Sequence, residues 1–224
     1  METLMEWDKR PRRKPLMVYG ARQVGKTYLI KEMFAKRFYP DKSIYVNFKF
    51  DDDMRDFING EGNYKSPTSN AAKIMEHLSL RENRIIDSTT LLIFDEIQEA
   101  VPAITSLKDF KENHPEIHVI ASGSLVRIKI KREAKRKNEK FFYPVGAVEE
   151  LTLRPFNFEE YLLNANPILY HRIVEAYQGK EPLDDSAHNI ALKYLQDYLL
   201  VGAMPESIAI FLETGSHVAR ERTS

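Results

Sequence analysis

The sequence predicts an α/β fold in three layers, with helices on both faces of a mostly parallel five-stranded sheet, followed by a small helical region. Two observations predict this fold. Short apolar runs rich in β-forming residues alternate with segments of helical periodicity, and the final third of the chain is helical in pattern. A chain of 224 residues, of which 43% are hydrophobic, can form one complete core and a small appendage. We therefore divide it into a basic N-terminal segment (1–14), a core domain (15–155) and a helical region (156–224).

Each predicted strand is a short apolar run bounded by polar turn residues. The five runs lie at 16–19, 43–48, 91–94, 117–121 and 148–153. Two of them, 91–94 and 117–121, are short and almost continuously apolar, which is typical of strands buried on both faces of a parallel sheet. We therefore expect both of these strands to be buried on their two faces.

Helical periodicity predicts most of the remaining elements. Helices are expected at 26–37, 70–80, 106–113, 158–163, 168–178, 187–201 and 205–213. Ser69 is the expected N-cap of the helix at 70–80. The segment 51–69 carries two glycines and a proline, so we expect a long surface loop there, with at most one helical turn near 54–58.

Composition excludes several classes of protein. Lys and Arg together number 33, as do Asp and Glu, so any basic surface must be local. The absence of cysteine excludes disulfides, a thiolate nucleophile and a cysteine zinc site, and the six histidines form no metal-binding pattern. The longest aliphatic runs are far shorter than the ~20 residues that cross a bilayer, and the first residues lack a secretory apolar stretch. The sequence therefore predicts a cytoplasmic protein without a membrane span.

The strongest motif lies between the first predicted strand and the first predicted helix and has the pattern G-x-x-x-x-G-K-[ST]. Its residues are Gly20, Ala21, Arg22, Gln23, Val24, Gly25, Lys26 and Thr27. Glycines let the backbone curl with its N–H groups pointing inward, and the helix N-terminus adds positive potential. We expect Lys26 to reach the β- and γ-phosphates of a nucleotide and the Thr27 hydroxyl to ligate Mg²⁺. The alternative is a strand-to-helix turn that binds no ligand.

A second motif is an apolar strand that ends in two carboxylates, Asp95 and Glu96. Asp95 is placed to hold Mg²⁺, directly or through water, and Glu96 to activate a water for attack on the γ-phosphate. A strand that ends in acids is common, but one that follows a phosphate-loop motif by about 70 residues is a strong signal. A kinase must exclude water, so the glutamate favours hydrolysis over phosphoryl transfer.

A third candidate is Ser122, at the end of the strand 117–121. If this strand lies between the strand that precedes the phosphate loop and the acidic strand, Ser122 or Ser124 lies near the γ-phosphate and can sense it. The alternative is a Ser-Gly turn with no ligand.

The chain resembles the prokaryotic AAA-type ATPases that carry a C-terminal domain of unknown function, within the additional-strand class of P-loop NTPases. The resemblance covers about 15–208 and rests on the segments GARQVGKT, LLIFDEIQ, VIASGS, LTLRPFNFEEYL and VGAMPES. It implies ATP and Mg²⁺ as ligands, a central place in the sheet for the strand of Ser122, and a sensor role for that serine. It also implies the assigned roles of Lys26, Thr27, Asp95 and Glu96.

The chain departs from the family pattern in two places. Gly146-Ala147 stands where members commonly have Gly-Arg, and Gly202-Ala203 where they often have Gly-Gly. A charge-stabilising arginine is therefore absent from its usual place, which bears on the rate of hydrolysis more than on nucleotide binding. The remaining candidates are Arg22, Arg127 and Arg154. The chain also stops where the C-terminal domain of the family usually begins, which predicts a truncated or shortened member.

A basic tract runs from Lys129 to Lys140, with seven Lys or Arg residues against two Glu. It is either a solvated segment or a contact for nucleic-acid phosphates, and a phosphate contact makes binding steeply salt-dependent.

The sequence thus favours a Mg²⁺-dependent ATPase in which hydrolysis drives a movement of the helical region. One alternative is a catalytically slow, nucleotide-switched module that binds DNA or a protein partner through the basic tract. A third is a small-molecule kinase. Self-association is also expected, because the resemblance implies that a neighbouring subunit can complete the site with an arginine.

Overall fold

The computed structural model describes residues 1–124, 144 and 146–215, and within them five strands form one parallel sheet. The strands are β1 (Leu16–Tyr19), β2 (Ser43–Asn47), β3 (Leu91–Asp95), β4 (His118–Gly123) and β5 (Glu149–Thr152). Their order across the sheet is β2-β3-β4-β1-β5, and every neighbouring pair runs parallel. The α/β class and all five predicted strands are confirmed, each to within two residues at either end.

Helices connect β1 to β2, β2 to β3 and β3 to β4, and they make up the last third of the described chain. They are α1 (Glu2–Asp8), α2 (a π-helical segment, Tyr28–Ala35, continued by the α-helical turn Lys36–Phe38), α3 (Asp52–Asn59), α4 (Ala71–Glu82), α5 (Val101–Asn113), α6 (Phe158–Ala165), α7 (Pro167–Gly179), α8 (Asp185–Val201) and α9 (Pro205–Thr214). A short 3₁₀ turn, Ile97–Glu99, precedes α5. The four helices predicted after residue 156 are confirmed.

The chain forms two compact units. The first comprises Met1–Arg22 and Lys26–Leu153, and the second comprises Gln23–Gly25 and Arg154–Ser224. The second unit has a small apolar core around Leu162, Leu169 and Ala187. Among the residues that the structure describes, no helix combines the length and the apolar character needed to cross a membrane.

The first unit has an apolar cluster on each face of its sheet. Alternate residues of a strand point to opposite faces, and Met17 accordingly packs with α3, α4 and α5, whereas Leu16 and Val18 pack with α1 and α2. The side chains of β3 alternate between the two apolar clusters in the same way, and every residue of β3 is buried. The three-layer arrangement predicted from the sequence is therefore confirmed, and β3 and β4 lie in its interior.

The prediction of a loop at 51–69 with at most one helical turn is wrong for its first part, where α3 forms two turns. The Asp51 side chain accepts a hydrogen bond from the Met54 backbone N–H at 3.1 Å and caps the helix. Gly60 ends it with φ of 67°, and a Cβ there would lie 2.2 Å from the carbonyl carbon of Ser66. The glycine that suggested a loop is therefore the C-terminal cap of a helix.

Two other helix starts differ from the prediction. Asn70, rather than Ser69, caps α4, because its side-chain oxygen accepts from the Lys73 N–H at 2.9 Å. α5 begins at Val101, five residues before the expected start, with Pro102 in its first turn. Proline is favoured at that position, because a backbone N–H there would have no hydrogen-bond partner within the helix.

The N-terminal helix α1 was not expected from the charged sequence around it. Leu4 and Trp7 are almost completely buried in the cluster shared with α2, and the Trp7 indole N–H donates to the Lys14 carbonyl at 2.8 Å. The Asp8 carboxylate at its end accepts a hydrogen bond from the Tyr39 hydroxyl, which also contacts Nδ1 of His118 on β4. These contacts hold α1 against the rest of the first unit.

The contacts among Asp8, Tyr39 and His118 make the stability of the protein depend on pH. Burial, and secondarily the charge of Arg13, lowers the pKa of His118 from 6.5 to about 4, while Asp8 acts in the opposite direction. Because the unfolded chain binds the proton more tightly, stability is complete above pH 6.5 and falls between pH 6.5 and pH 4. We expect a loss of about 2–3 kcal/mol across that window. Urea unfolding of wild type and His118→Gln at pH 7.5 and 4.5 measures it, and equal losses in the two proteins would contradict the assignment.

Candidate functional site

The candidate site lies at the carboxyl ends of three adjacent strands. β4 lies between β1 and β3, as the resemblance implied, with Val18 opposite Ser122 and Phe94 opposite Ala121. Because the carboxyl ends of parallel strands meet at one edge of a sheet, this register brings the segments after β1, β3 and β4 together. Lys26, Thr27, Asp95, Glu96 and Ser122, which the sequence separates by up to 96 positions, therefore lie around this edge.

The loop after β1 has the backbone shape that the motif predicts. Gln23 and Gly25 have φ of 63° and 87°, in the left-handed region, so the chain folds back before the helix begins. Val24 is buried, whereas Ala21 and Arg22 are exposed. Successive N–H groups of such a turn, followed by a helix N-terminus, form a concave site that favours an anion.

Lys26 turns back over this loop. Its Nζ donates to the carbonyl oxygens of Gly20 at 3.1 Å and Ala21 at 2.7 Å, and the residue is only 6% exposed. Burial lowers the pKa of Lys26, and the carboxylates of Glu96 and Asp95 act in the opposite direction. The loop therefore holds a largely buried amine whose charge is favoured by two nearby acids.

Asp95 is the hydrogen-bonding centre of the site and is 2% exposed. Its Oδ2 accepts from the hydroxyls of Thr27 at 2.7 Å and Tyr45 at 2.8 Å. Its Oδ1 accepts from the Ser122 hydroxyl and from the Glu96 backbone N–H. A buried carboxylate requires such donors, and four of them fix its orientation toward the phosphate loop.

The oxygens of Asp95 and Thr27 are the hard ligands that Mg²⁺ prefers. They are already in contact across the site, so the donor set fits a magnesium ion supplemented by water and phosphate oxygens. Among the described residues, no group of three or more His, Asp or Glu side chains forms a separate metal site.

Glu96 follows β3 in a left-handed backbone conformation, with φ of 50° and ψ of 40°. This conformation is uncommon for a residue with a side chain, and it occurs often at functional sites. Its carboxylate accepts a hydrogen bond from Nε2 of Gln98. Burial lowers the pKa of Lys26, and Glu96 is the first of the two acids that act in the opposite direction.

Two residues of the site, Tyr45 and Asn47, were not predicted. Tyr45 donates to Asp95, and Asn47 Nδ2 lies 3.1 Å from the Tyr45 hydroxyl and 3.4 Å from Asp95 Oδ2. Burial raises the pKa of Tyr45 to about 12, and Lys31 Nζ lies 4.3 Å from its ring centroid. The signal that could have found them is strand register, since Asn47 pairs directly with Asp95.

Ser122 is fully buried and donates to Asp95, and Ser124 is 6% exposed. Of the three candidate arginines, Arg22 is exposed on the loop and Arg154 is exposed at the start of the second unit's helical segment. Arg127 and the tract from Lys129 to Lys140 fall outside the described residues. The identity of a charge-stabilising arginine therefore stays a prediction.

The strand order, the loop after β1 and the acidic end of β3 together define a P-loop nucleoside-triphosphatase fold with an additional central strand. A family model described as an AAA domain matches residues 12–162, well over half of the chain, and the chain belongs to that family. No curated protein sequence matches it significantly.

Two solved structures show the same fold. The Walker-type ATPase PABY2304 of Pyrococcus abyssi is 13% identical, with a TM-score of 0.50 over 96% of this chain and 67% of that one. The Drosophila ORC bound to DNA is 14% identical, with a TM-score of 0.51 over 95% of this chain and 58% of that one. The chain thus spans about two thirds or less of the length of these structures, and at such identities the likeness concerns the fold.

Proposed function

We propose that this chain is a Mg²⁺-dependent ATPase that binds ATP on the loop Gly20–Thr27 and hydrolyses it to ADP and phosphate. The observation that carries the proposal is the 2.7 Å hydrogen bond from Thr27 to Asp95, which joins the phosphate loop to the acidic strand end. ATP rather than GTP is supported by membership of the AAA family and by a sequence without an N-K-x-D guanine motif.

The roles of the residues follow from their chemistry. The backbone N–H groups of the loop and the Lys26 ammonium bind the phosphates, and Thr27 and Asp95 hold Mg²⁺. The bound ion would neutralise charge on the β- and γ-phosphates. Glu96 is the general base that takes a proton from the attacking water. Ser122 is proposed as a sensor of the γ-phosphate through its contact with Asp95.

The resting contacts of Lys26 are consistent with this role. Its Nζ donates to two neutral carbonyl groups of the loop. A charged phosphate oxygen is a stronger acceptor than a neutral carbonyl, roughly by a factor of two in energy. ATP is therefore expected to draw the ammonium away from the carbonyls of Gly20 and Ala21.

We also propose that loss of the γ-phosphate changes the conformation of the helical region, residues 156–224. The division of the chain into two compact units supports this proposal, because separate cores can move without unfolding.

We also propose that the chain associates with itself. Size-exclusion chromatography with and without Mg-ATP tests this prediction, and the expected result is an earlier elution with nucleotide.

The second candidate function is a slow, nucleotide-switched module that binds DNA or a protein partner. The basic tract from Lys129 to Lys140 favours it, because seven cations in twelve residues can neutralise phosphates. The Drosophila ORC structure, which has the same fold, was solved bound to DNA.

Phosphate release from ATP, measured with Mg²⁺, with EDTA and with added duplex DNA, tests these functions. Turnover that needs Mg²⁺ and proceeds without DNA supports the ATPase. Tight ATP binding without turnover favours the switched module, and DNA affinity that falls steeply between 50 and 200 mM salt would assign it a nucleic-acid partner. ATP loss that requires an added small-molecule acceptor would indicate a kinase. A protein that binds no ATP under any of these conditions refutes the proposal.

A further inference from the structure

The side chain of Gln98 is buried beside the proposed general base. Gln98 lies in the 3₁₀ turn Ile97–Glu99 and is 4% exposed. Its Nε2 donates a hydrogen bond to Oε2 of Glu96. Its Oε1 is buried and has no hydrogen-bond partner among the residues that the structure describes. One half of the amide is thus engaged by Glu96, and the other half is unsatisfied.

The backbone around Glu96 is held independently of Gln98. The Glu96 N–H donates to Oδ1 of Asp95 at 3.0 Å, and its carbonyl accepts from the Glu99 N–H at 2.9 Å. These bonds fix the main chain in its left-handed conformation but leave the side-chain torsions of Glu96 free. Among the described hydrogen bonds, the one from Gln98 is the contact that restrains the carboxylate itself.

The place of Glu96 in the fold agrees with a catalytic position. Glu96 directly follows Asp95 at the carboxyl end of β3, and Asp95 Oδ2 accepts a hydrogen bond from the Thr27 hydroxyl of the phosphate loop at 2.7 Å. A general base must lie within hydrogen-bond reach of the water that it activates, and a misplacement of about 1 Å can reduce the rate about a hundredfold. A fixed Glu96 side chain therefore has a direct kinetic consequence.

We propose that Gln98 is a positioning residue, which holds the Glu96 carboxylate toward the phosphate loop for hydrolysis. This inference rests on the proposed ATPase function. An unsatisfied buried carbonyl oxygen destabilises the fold, and an apolar side chain of similar volume removes that penalty. A glutamine at this place thus lowers stability and serves the reaction, as residues at functional sites often do.

The test compares Gln98→Met with wild type. Methionine is unbranched, fills a similar volume and cannot donate a hydrogen bond to Glu96. We expect kcat for ATP hydrolysis to fall about tenfold to a hundredfold, with KM and the Kd for Mg-ATP changed by less than about twofold. We expect the melting temperature to be equal to or above that of wild type. Gln178→Met, at an exposed position of α7, is the matched control and should behave as wild type.

A second variant and a double-mutant cycle distinguish a positioning role of Gln98 from a purely structural role. Gln98→Glu keeps the shape of the side chain but replaces the donor by a like charge, and it should slow hydrolysis at least as much as Gln98→Met. Since Gln98 acts through Glu96, the double variant Glu96→Gln/Gln98→Met should be no slower than Glu96→Gln alone. An additive loss in the double variant would contradict the proposal.

Other outcomes also decide the matter. Wild-type kcat in Gln98→Met, or a lower melting temperature in parallel with a lower kcat, overturns the positioning role and leaves the ATPase assignment intact. Unfolding of Gln98→Met overturns it too, because the proposal requires the fold to tolerate methionine. If the wild-type protein itself binds ATP but does not hydrolyse it, the proposed function fails, and the role of Gln98 fails with it.

Discussion

Glu96→Gln is expected to lower the rate of ATP hydrolysis by about 10²- to 10⁴-fold and to leave Mg-ATP binding intact. The amide has the shape of the carboxylate but cannot accept the proton of the attacking water. The left-handed backbone at Glu96 and its contacts with Asp95 do not depend on the side-chain charge. Single-turnover phosphate release, with ATP affinity measured separately, checks both parts of the expectation.

The matched control for this variant is Glu175→Gln, at an exposed position of α7 in the second unit. It should hydrolyse ATP at the wild-type rate. Turnover of Glu96→Gln within about threefold of wild type would remove Glu96 from the role of general base, since a general base contributes at least about a hundredfold. A loss of ATP affinity equal to the loss of turnover would assign Glu96 to binding instead.

Lys26→Met is expected to weaken ATP binding by about a hundredfold or more. Hydrogen bonds to a charged group contribute about 1.5–3 kcal/mol each, and one such bond to each of two phosphates accounts for that factor. Stability should not fall, because burial disfavours the charged form of Lys26 and lowers its pKa, and methionine fills the same space without a charge. Titration with a fluorescent ATP analogue and thermal unfolding measure the two effects.

Lys73→Met, at an exposed position of α4, is the control for this loss of positive charge and should bind ATP as wild type does. Affinity for ATP that is unchanged in Lys26→Met would exclude Lys26 from the phosphate site. A marked fall in melting temperature would show that the Lys26 contacts with the Gly20 and Ala21 carbonyls stabilise the loop itself.

The parts of the site that the sequence predicts are those encoded in contiguous residues. The loop from Gly20 to Thr27 is one local motif, and Asp95 and Glu96 follow an apolar run that is easily recognised as a strand. The central place of β4 was expected only from the resemblance, and the sheet order confirms it. Motif and strand pattern were enough because parallel strands bring their carboxyl ends together.

Tyr45 and Asn47 could not be predicted in the same way. They reach Asp95 because β2 pairs with β3 in one register, and a shift of one residue would turn them to the other face. The errors at α3 and α4 have a local cause, since Gly60 and Asn70 act as caps and caps are short signals inside polar segments. α1 was missed because its apolar residues are few and its burial depends on the first unit's core.

The account depends on one claim, that the loop Gly20–Thr27 and the end of β3 together form a binding site for Mg-ATP. Isothermal titration calorimetry of the wild-type chain tests it most directly. We predict saturable heat corresponding to one ATP per chain in the presence of Mg²⁺, weaker binding with EDTA, and binding to Lys26→Met that is weaker by about a hundredfold or more. Absence of heat with Mg-ATP in the folded wild-type protein, or equal binding by Lys26→Met, would contradict the claim.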